Sequence, residues 1–179
     1  SYNSKINARL FLKVGFQDEI MGVNLYYKTK NQEKDNWNQI WDNNSYTNLA
    51  QVFGAVKYNF SQRLVLNAGL HAQYFALNKA KSIEPRLGLK YDLSNNSTLS
   101  FGYGLHSQLQ PINMYYLETQ NTDGSTSLNN KNLGFTKSQH FVLGYDVQPI
   151  KDWRLKAEAY YQYLFNVPIN SYASSYSML

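Results

Sequence analysis

The feature that most constrains this chain is a two-residue alternation held over unusually long stretches. Between Leu64 and Ala76 one side reads Leu64, Leu66, Ala68, Leu70, Ala72, Tyr74 and Ala76, while the other reads Val65, Asn67, Gly69, His71, Gln73 and Phe75. From Ile83 the apolar side is Ile83, Pro85, Leu87, Leu89, Tyr91 and Leu93, against Glu84, Arg86, Gly88, Lys90 and Asp92. The pattern returns at Leu99, Phe101, Tyr103 and Leu105, and again at Trp153, Leu155, Ala157, Ala159, Tyr161 and Tyr163. Successive side chains of a strand point to opposite faces, so this period specifies strand and not helix. It predicts eight strands, at about 5–16, 19–30, 47–60, 63–77, 83–93, 97–108, 135–148 and 152–165. Most exceed ten residues, whereas an ordinary globular strand has about five or six. A strand that crosses a bilayer needs roughly nine to eleven. Length therefore predicts an all-β, antiparallel transmembrane barrel wall of consecutive up-and-down strands.

Composition is compatible with that reading. The mean hydropathy of -0.52 is that of a polar chain, and no apolar run approaches the roughly 18 residues of a helical span. Barrel strands tolerate such an average because only every second residue meets lipid. Aromatic residues make up 16% of the chain and 16 of them are Tyr, which suits half-buried strands and the membrane–water boundary. With no Cys, disulfide scaffolds, thiol catalysis and sulfur-ligated zinc are excluded. The net charge is +5, but the Lys and Arg are scattered, so nucleic acid is not an expected partner. Ser1-Tyr2-Asn3-Ser4-Lys5 lacks the apolar core of a secretion signal. The expectation is a processed leader or an internal piece of a longer chain.

The connections sort by length. Short turns are expected at Gln17-Asp18, Ser61-Gln62, Ser94-Asn95-Asn96 and Pro149-Ile150-Lys151, with long polar segments at 31–46 and 109–134 and a shorter one at 78–82. Short periplasmic turns opposite long surface loops are the habit of outer-membrane barrels. With Gln17-Asp18 periplasmic, both ends of the chain fall on the surface side, which suits one segment, 1–179, of a larger wall.

Glu84-Pro85-Arg86-Leu87-Gly88-Leu89-Lys90-Tyr91, and Leu99-Ser100-Phe101-Gly102-Tyr103-Gly104-Leu105-His106-Ser107-Gln108 with Pro111 beyond, resemble a central barrel section of TonB-dependent outer-membrane receptors. The similarity is to the subgroup with an N-terminal carboxypeptidase-regulatory-like domain. Lys137-Ser138-Gln139-His140-Phe141-Val142-Leu143-Gly144-Tyr145 fits the same section, as do Leu155-Lys156-Ala157-Glu158-Ala159-Tyr160-Tyr161-Gln162, Pro168 and Tyr176-Ser177-Met178-Leu179. The resemblance covers about residues 47–179. It implies nutrient import through a barrel of about 22 strands, in the outer membrane of a Gram-negative bacterium. Its implied partners are the lipid bilayer, the TonB complex acting through the rest of the receptor, and a surface lipoprotein. It implies no cofactor and no enzymatic activity. Neither a plug domain nor a TonB-contacting box is legible in these residues. Two other readings compete: a complete eight-stranded barrel serving as anchor or adhesin, and a surface-facing barrel hydrolase. Against the hydrolase, no G-x-S-x-G elbow occurs.

Alternation assigns the faces. Leu66, Leu70, Leu87, Leu89, Leu99, Tyr103, Leu143 and Leu155 are expected to face lipid. Asn67, His71, Glu84, Arg86, Lys90, His106 and Lys156 are expected to face the lumen. His71, His106 and His140 lie on the polar faces of different strands and read as lumen filler, with no metal site expected. Glu84, Arg86, Lys90 and Asp92 read as cross-strand charge partners, with no catalytic role. Substrate or partner contact is expected in the long loops, from Trp37 and Trp41 in one and Met114, Tyr115 and Tyr116 in the other. Trp37 and Trp41, four apart, would share the face of a helical turn.

Overall fold

The computed structural model describes residues 1–31, 36–120 and 125–169. Its strands are β1 (Tyr2–Lys5), β2 (Leu10–Asn31), β3 (Asn36–Asn59), β4 (Leu64–Phe75), β5 (Ala80–Ser94) and β6 (Ser97–Gln108). A one-turn helix, α1 (Ile112–Tyr115), and a small hairpin of β7 (Thr119–Gln120) and β8 (Thr126–Ser127) come next. The last two strands are β9 (Thr136–Ile150) and β10 (Trp153–Phe165). Eight strands form one sheet in the order β1-β2-β3-β4-β5-β6-β9-β10, each antiparallel to its neighbour. Among the described residues β1 and β10 stand at opposite ends and do not pair. A closed eight-stranded barrel would join them.

The register carries the expected faces across the sheet. One row runs Ala68, Leu87, Tyr103, Phe141 and Tyr161, and the next runs Leu66, Leu89, Phe101, Leu143 and Ala159. Between them, on the other face, run Asn67, Gly88, Gly102, Val142 and Tyr160, and beyond the first row the same face aligns Gly69, Arg86, Gly104 and His140. Leu70, Leu87, Leu89, Leu143 and Leu155 are all exposed on a regular sheet. An apolar face of this extent is stable only against another apolar phase, here the lipid tails. Tyr91, Leu99 and Tyr145 pair in one row near the short turns, where an aromatic girdle is expected. Gly15 allows one close approach on the other face. A Cβ there would stand 2.2 Å from the ring of Phe53, so only glycine lets that ring lie across β2.

The first third of the chain departs from expectation. The stretches 5–16 and 19–30 are not two strands joined at Gln17-Asp18. They belong to the single strand β2, in which Gln17 pairs with Gln51 and Asp18 with Ala50. Asp18 accepts a hydrogen bond from the Asn48 side chain at 2.9 Å. Polar groups on the outward face here mark where the strand leaves the lipid, and the ladder continues past them. The first short turn instead spans 6–9, held by the Asn7 side chain accepting from the N–H groups of Arg9 and Leu10 at 2.8 Å each. The eighth strand is β1.

Segment 31–46, expected as a long loop, is mostly strand: β3 begins at Asn36 and pairs with β2 from Asn31 onward. Trp37 and Trp41 lie on this strand and not on a helical turn, with a bulge between their partners Lys30 and Tyr27. The extension is long because ladder pairing satisfies its backbone without any contribution from the membrane. The other tight connections fall within a residue or two of expectation. At the last of them, Asp152 takes φ 70°.

The lipid-facing register can be tested by stability in bilayers. Leu87→Lys should destabilise the full-length barrel by about 2–4 kcal/mol near the midplane. Asn67→Lys, on the lumen face, should cost much less in the same urea titration in vesicles.

Candidate functional site

The polar face of the sheet, the one expected to line the lumen, holds a cluster around Glu84. Its carboxylate is 1% exposed, because β4, β5 and β6 surround it with side chains that donate to it. His71 Nδ1 lies 3.0 Å away on the neighbouring strand, directly opposite in register. Arg86 Nη2 donates from two residues along β5 at 3.1 Å. The Gln73 amide and the Ser107 hydroxyl both donate to Glu84 Oε1. Ser107 reaches this cluster beyond the last β5–β6 pair, Arg86 with Gly104, where β6 is no longer bound by that ladder. A buried carboxylate is tolerated only when its oxygens are this fully engaged.

A second chain continues toward β10. The rings of His106 and His140 meet edge to face at 4.8 Å. His106 lies against Gly104, where a Cβ would stand 2.6 Å from its Nε2. The Tyr160 hydroxyl lies 2.8 Å from His140 Nδ1 and donates to Gln162 Oε1 at 3.1 Å. Gln162 donates in turn to Ser138 Oγ at 2.9 Å. Toward the short turns, Lys90 pairs with Asp92 at 3.1 Å and Lys156 with Glu158 at 2.8 Å. Each pair stands side by side on one strand face. Arg154 grips Asp146 through both its Nε and Nη2. Among the described residues no group of three His, Cys, Asp or Glu converges to hold a metal ion. The arrangement positions charge along a wall.

The lumen-facing expectations therefore fall into two groups. His71, Glu84 and Arg86 come together, with His106 and His140 beside them on the same face. Lys90 and Lys156 lie apart, each with its own acid. The sequence reading missed Gln73 and Ser107. Gln73 shares the parity of His71 and was within reach of the same logic. Ser107 has the other parity, and nothing in the alternation indicates it.

At the loop end the lumen face becomes apolar. Val23, Leu49 and Phe75 form a core with Tyr115, Tyr116 and Phe135, all buried. Phe75 and Tyr115 meet at 5.0 Å with their planes at 60°. The residues 109–118 and 125–135 thus fold back over the inner face. Asn78, in the β4–β5 turn, pins them by donating to the Leu133 carbonyl at 2.7 Å. Gln110 fixes the other end by donating to Thr136 Oγ1 at 2.7 Å. Burial pushes the Tyr115 hydroxyl above its ordinary range, opposed by the Gln110 N–H that donates to it. The rings of Tyr115 and Tyr116 serve this packing, and Met114 beside them is half-buried. The side chains of Trp37 and Trp41 lie outside the described residues.

Comparison with known proteins gives one family and one set of structures. The family model for the TonB dependent receptor-like beta-barrel matches residues 1–178. No curated protein matches the chain. Among solved structures, a mutant ferric enterobactin receptor from Pseudomonas aeruginosa is similar at TM-score 0.62 and 15% identity. That match covers 87% of this chain and 24% of the receptor. A further structure of that receptor, in complex with enterobactin, is similar at TM-score 0.58 and 14% identity, covering 84% and 26%. The chain thus spans about a quarter of the length of the structures it matches.

Two substitutions test the site. Glu84→Ala leaves His71, Arg86, Gln73 and Ser107 without their shared acceptor and should cost about 3–5 kcal/mol in unfolding, with Glu84→Gln recovering part of it. Phe75→Ala should expose 109–135 to protease and speed its amide exchange while the strands keep their protection.

Proposed function

This chain belongs to the TonB-dependent receptor-like β-barrel family, and on that premise we propose that it forms part of the wall of an outer-membrane importer driven from the inner membrane. The observation that carries the reading is the two-faced sheet. Its outer face is apolar over the height of a bilayer, while its inner face carries Glu84, Arg86, Lys90, His106 and Lys156. A wall built this way separates a polar path from lipid. Import needs such a path, and a purely structural anchor does not. Among the described residues the outer edges of β1 and β10 are unpaired, which supports a wall that continues into further strands, since unpaired edges in lipid cost several kcal/mol per group. The plug and the box that contacts TonB would lie outside these residues.

Binding would fall to the surface side. The β2–β3 hairpin extends beyond the lipid-facing band, with Tyr26 and Tyr46 exposed on it. Trp37 and Trp41 stand on the same extension and are the proposed anchors for a solute or a surface lipoprotein. Met114 is the remaining candidate from the other loop, where Tyr115 and Tyr116 are committed to the core.

Uptake by cells expressing the full-length protein should require both the proton-motive force and TonB. A Trp37→Ala/Trp41→Ala variant that inserts normally should lose surface binding by about tenfold or more. Unchanged uptake in cells lacking TonB would reject the import reading.

A further inference from the structure

Toward the loop end, the outward face of the sheet carries a shallow groove of about 320 Å³, at the small end of ligand-site volumes. Two adjacent outward rows build it. One runs Phe16, Val52, Ala72 and Ile83, and the next, nearer the loops, runs Asp18, Ala50, Tyr74 and Lys81. Ala50 and Ala72 are diagonal neighbours on this face and form the floor, because a methyl group leaves most of the side-chain layer empty. Val52, Tyr74 and Ile83, all exposed, stand around it as walls. The strands that build the groove, β3, β4 and β5, lie inside the sheet with β2 and β6 on either side. Further strands of a longer wall would join elsewhere, and the groove opens away from the lumen.

The loop-side end of the groove is charged. Lys81 is the second residue of β5 and Tyr74 the last but one of β4, so both stand where the outward face leaves its apolar band. The Lys81 ammonium lies over the Tyr74 ring at 5.9 Å, which keeps it at the mouth of the groove. Asp18 shares the row but stands three strands away, about 14 Å at about 4.8 Å per strand, and it is held by Asn48. Among the described residues no carboxylate pairs with Lys81. An ammonium at the edge of hydrocarbon is stabilised by an anion at the same depth, and that is where lipid headgroups lie.

We propose that this groove binds a single lipid of the surface-side leaflet through a phosphate headgroup. An acyl chain lies over Ala50 and Ala72, and the phosphate takes Lys81 as its cation. The two ends match such a lipid in position as well as in kind, because the floor points toward the middle of the membrane and the cation toward its surface. A soluble anion would make no use of the floor, and a neutral lipid none of Lys81. A second copy of the chain would have to bring a carboxylate, and Asp18 on this face is already held. The site needs this face to meet lipid and does not depend on import.

The test uses the purified full-length protein in mild detergent, with bound lipid counted by native mass spectrometry. The probes are phosphatidic acid, whose phosphate is uncapped, and phosphatidylcholine with the same acyl chains. Phosphatidic acid should bind in preference. Lys81→Gln should reduce its binding by about fivefold and leave phosphatidylcholine unchanged, while Lys81→Arg should keep the preference. Ala50→Leu/Ala72→Leu, which fills the floor, should weaken both lipids. Lys151→Gln, at a short turn on the opposite side of the membrane, should alter neither. Thermal melting of each variant reports whether it has folded. No preference in the parent protein, or a preference kept by folded Lys81→Gln, overturns the proposal. Equal loss in Lys151→Gln overturns it too, by reducing the effect to overall charge. So does displacement of the lipid by millimolar inorganic phosphate, which would mark a site for a free anion, or cross-linking of Lys81 to a second copy of the chain.

Discussion

The structure depends on one constraint: in hydrocarbon, every backbone N–H and C=O must find its partner within the protein. A sheet meets that demand strand by strand, through the ladders that run from β1 to β10. Once pairing is continuous, the pleat sends alternate side chains to opposite sides, and the two sides meet different solvents. Leu87 and Arg86 are neighbours in sequence and are placed in different phases. The alternation, the long strands and the abundance of Tyr all answer to this requirement.

The same constraint accounts for how charge is handled. Carboxylates on the lumen face are held by direct partners: Glu84 by four side chains from three strands, Asp92 by Lys90, and Asp146 by Arg154. Cations are treated less evenly. Lys90, Arg154 and Lys156 have acids beside them, whereas among the described residues no carboxylate pairs with Lys5, Lys13 or Lys57. At the loop end the lumen face abandons polarity altogether and packs Phe75, Leu49 and Val23 against segment 109–135. One face of one sheet thus carries an apolar seat and a buried polar cluster at successive heights. The outward face is uniform because lipid is uniform.

The errors of sequence reading have specific physical causes. Gln17-Asp18 read as a turn because polar residues interrupted an apolar alternation. In a membrane strand that interruption also marks the lipid boundary, and Asn48 across the ladder is what lets Asp18 stay in the strand. The segment 31–46 read as loop for the same reason: outside the bilayer a strand needs no apolar face, so its signature fades while its pairing continues. Tyr115 and Tyr116 read as exposed contacts because their burial depends on Phe75 and Phe135, which are distant in sequence.

By itself the sequence determined the class of fold and which of two faces most strand residues from Leu64 onward would take. Those properties are local, because the pleat turns a residue's parity directly into its side. It also carried the resemblance that the family match bears out. Only the tertiary structure decided which lumen residues meet. That depends on register between strands, which places His71 opposite Glu84, and on Ser107 reaching across where a ladder ends. It alone decided that Tyr115 and Tyr116 fold inward onto Phe75 and Phe135. Parity says which way a side chain points, but its neighbours are set by pairing across the sheet.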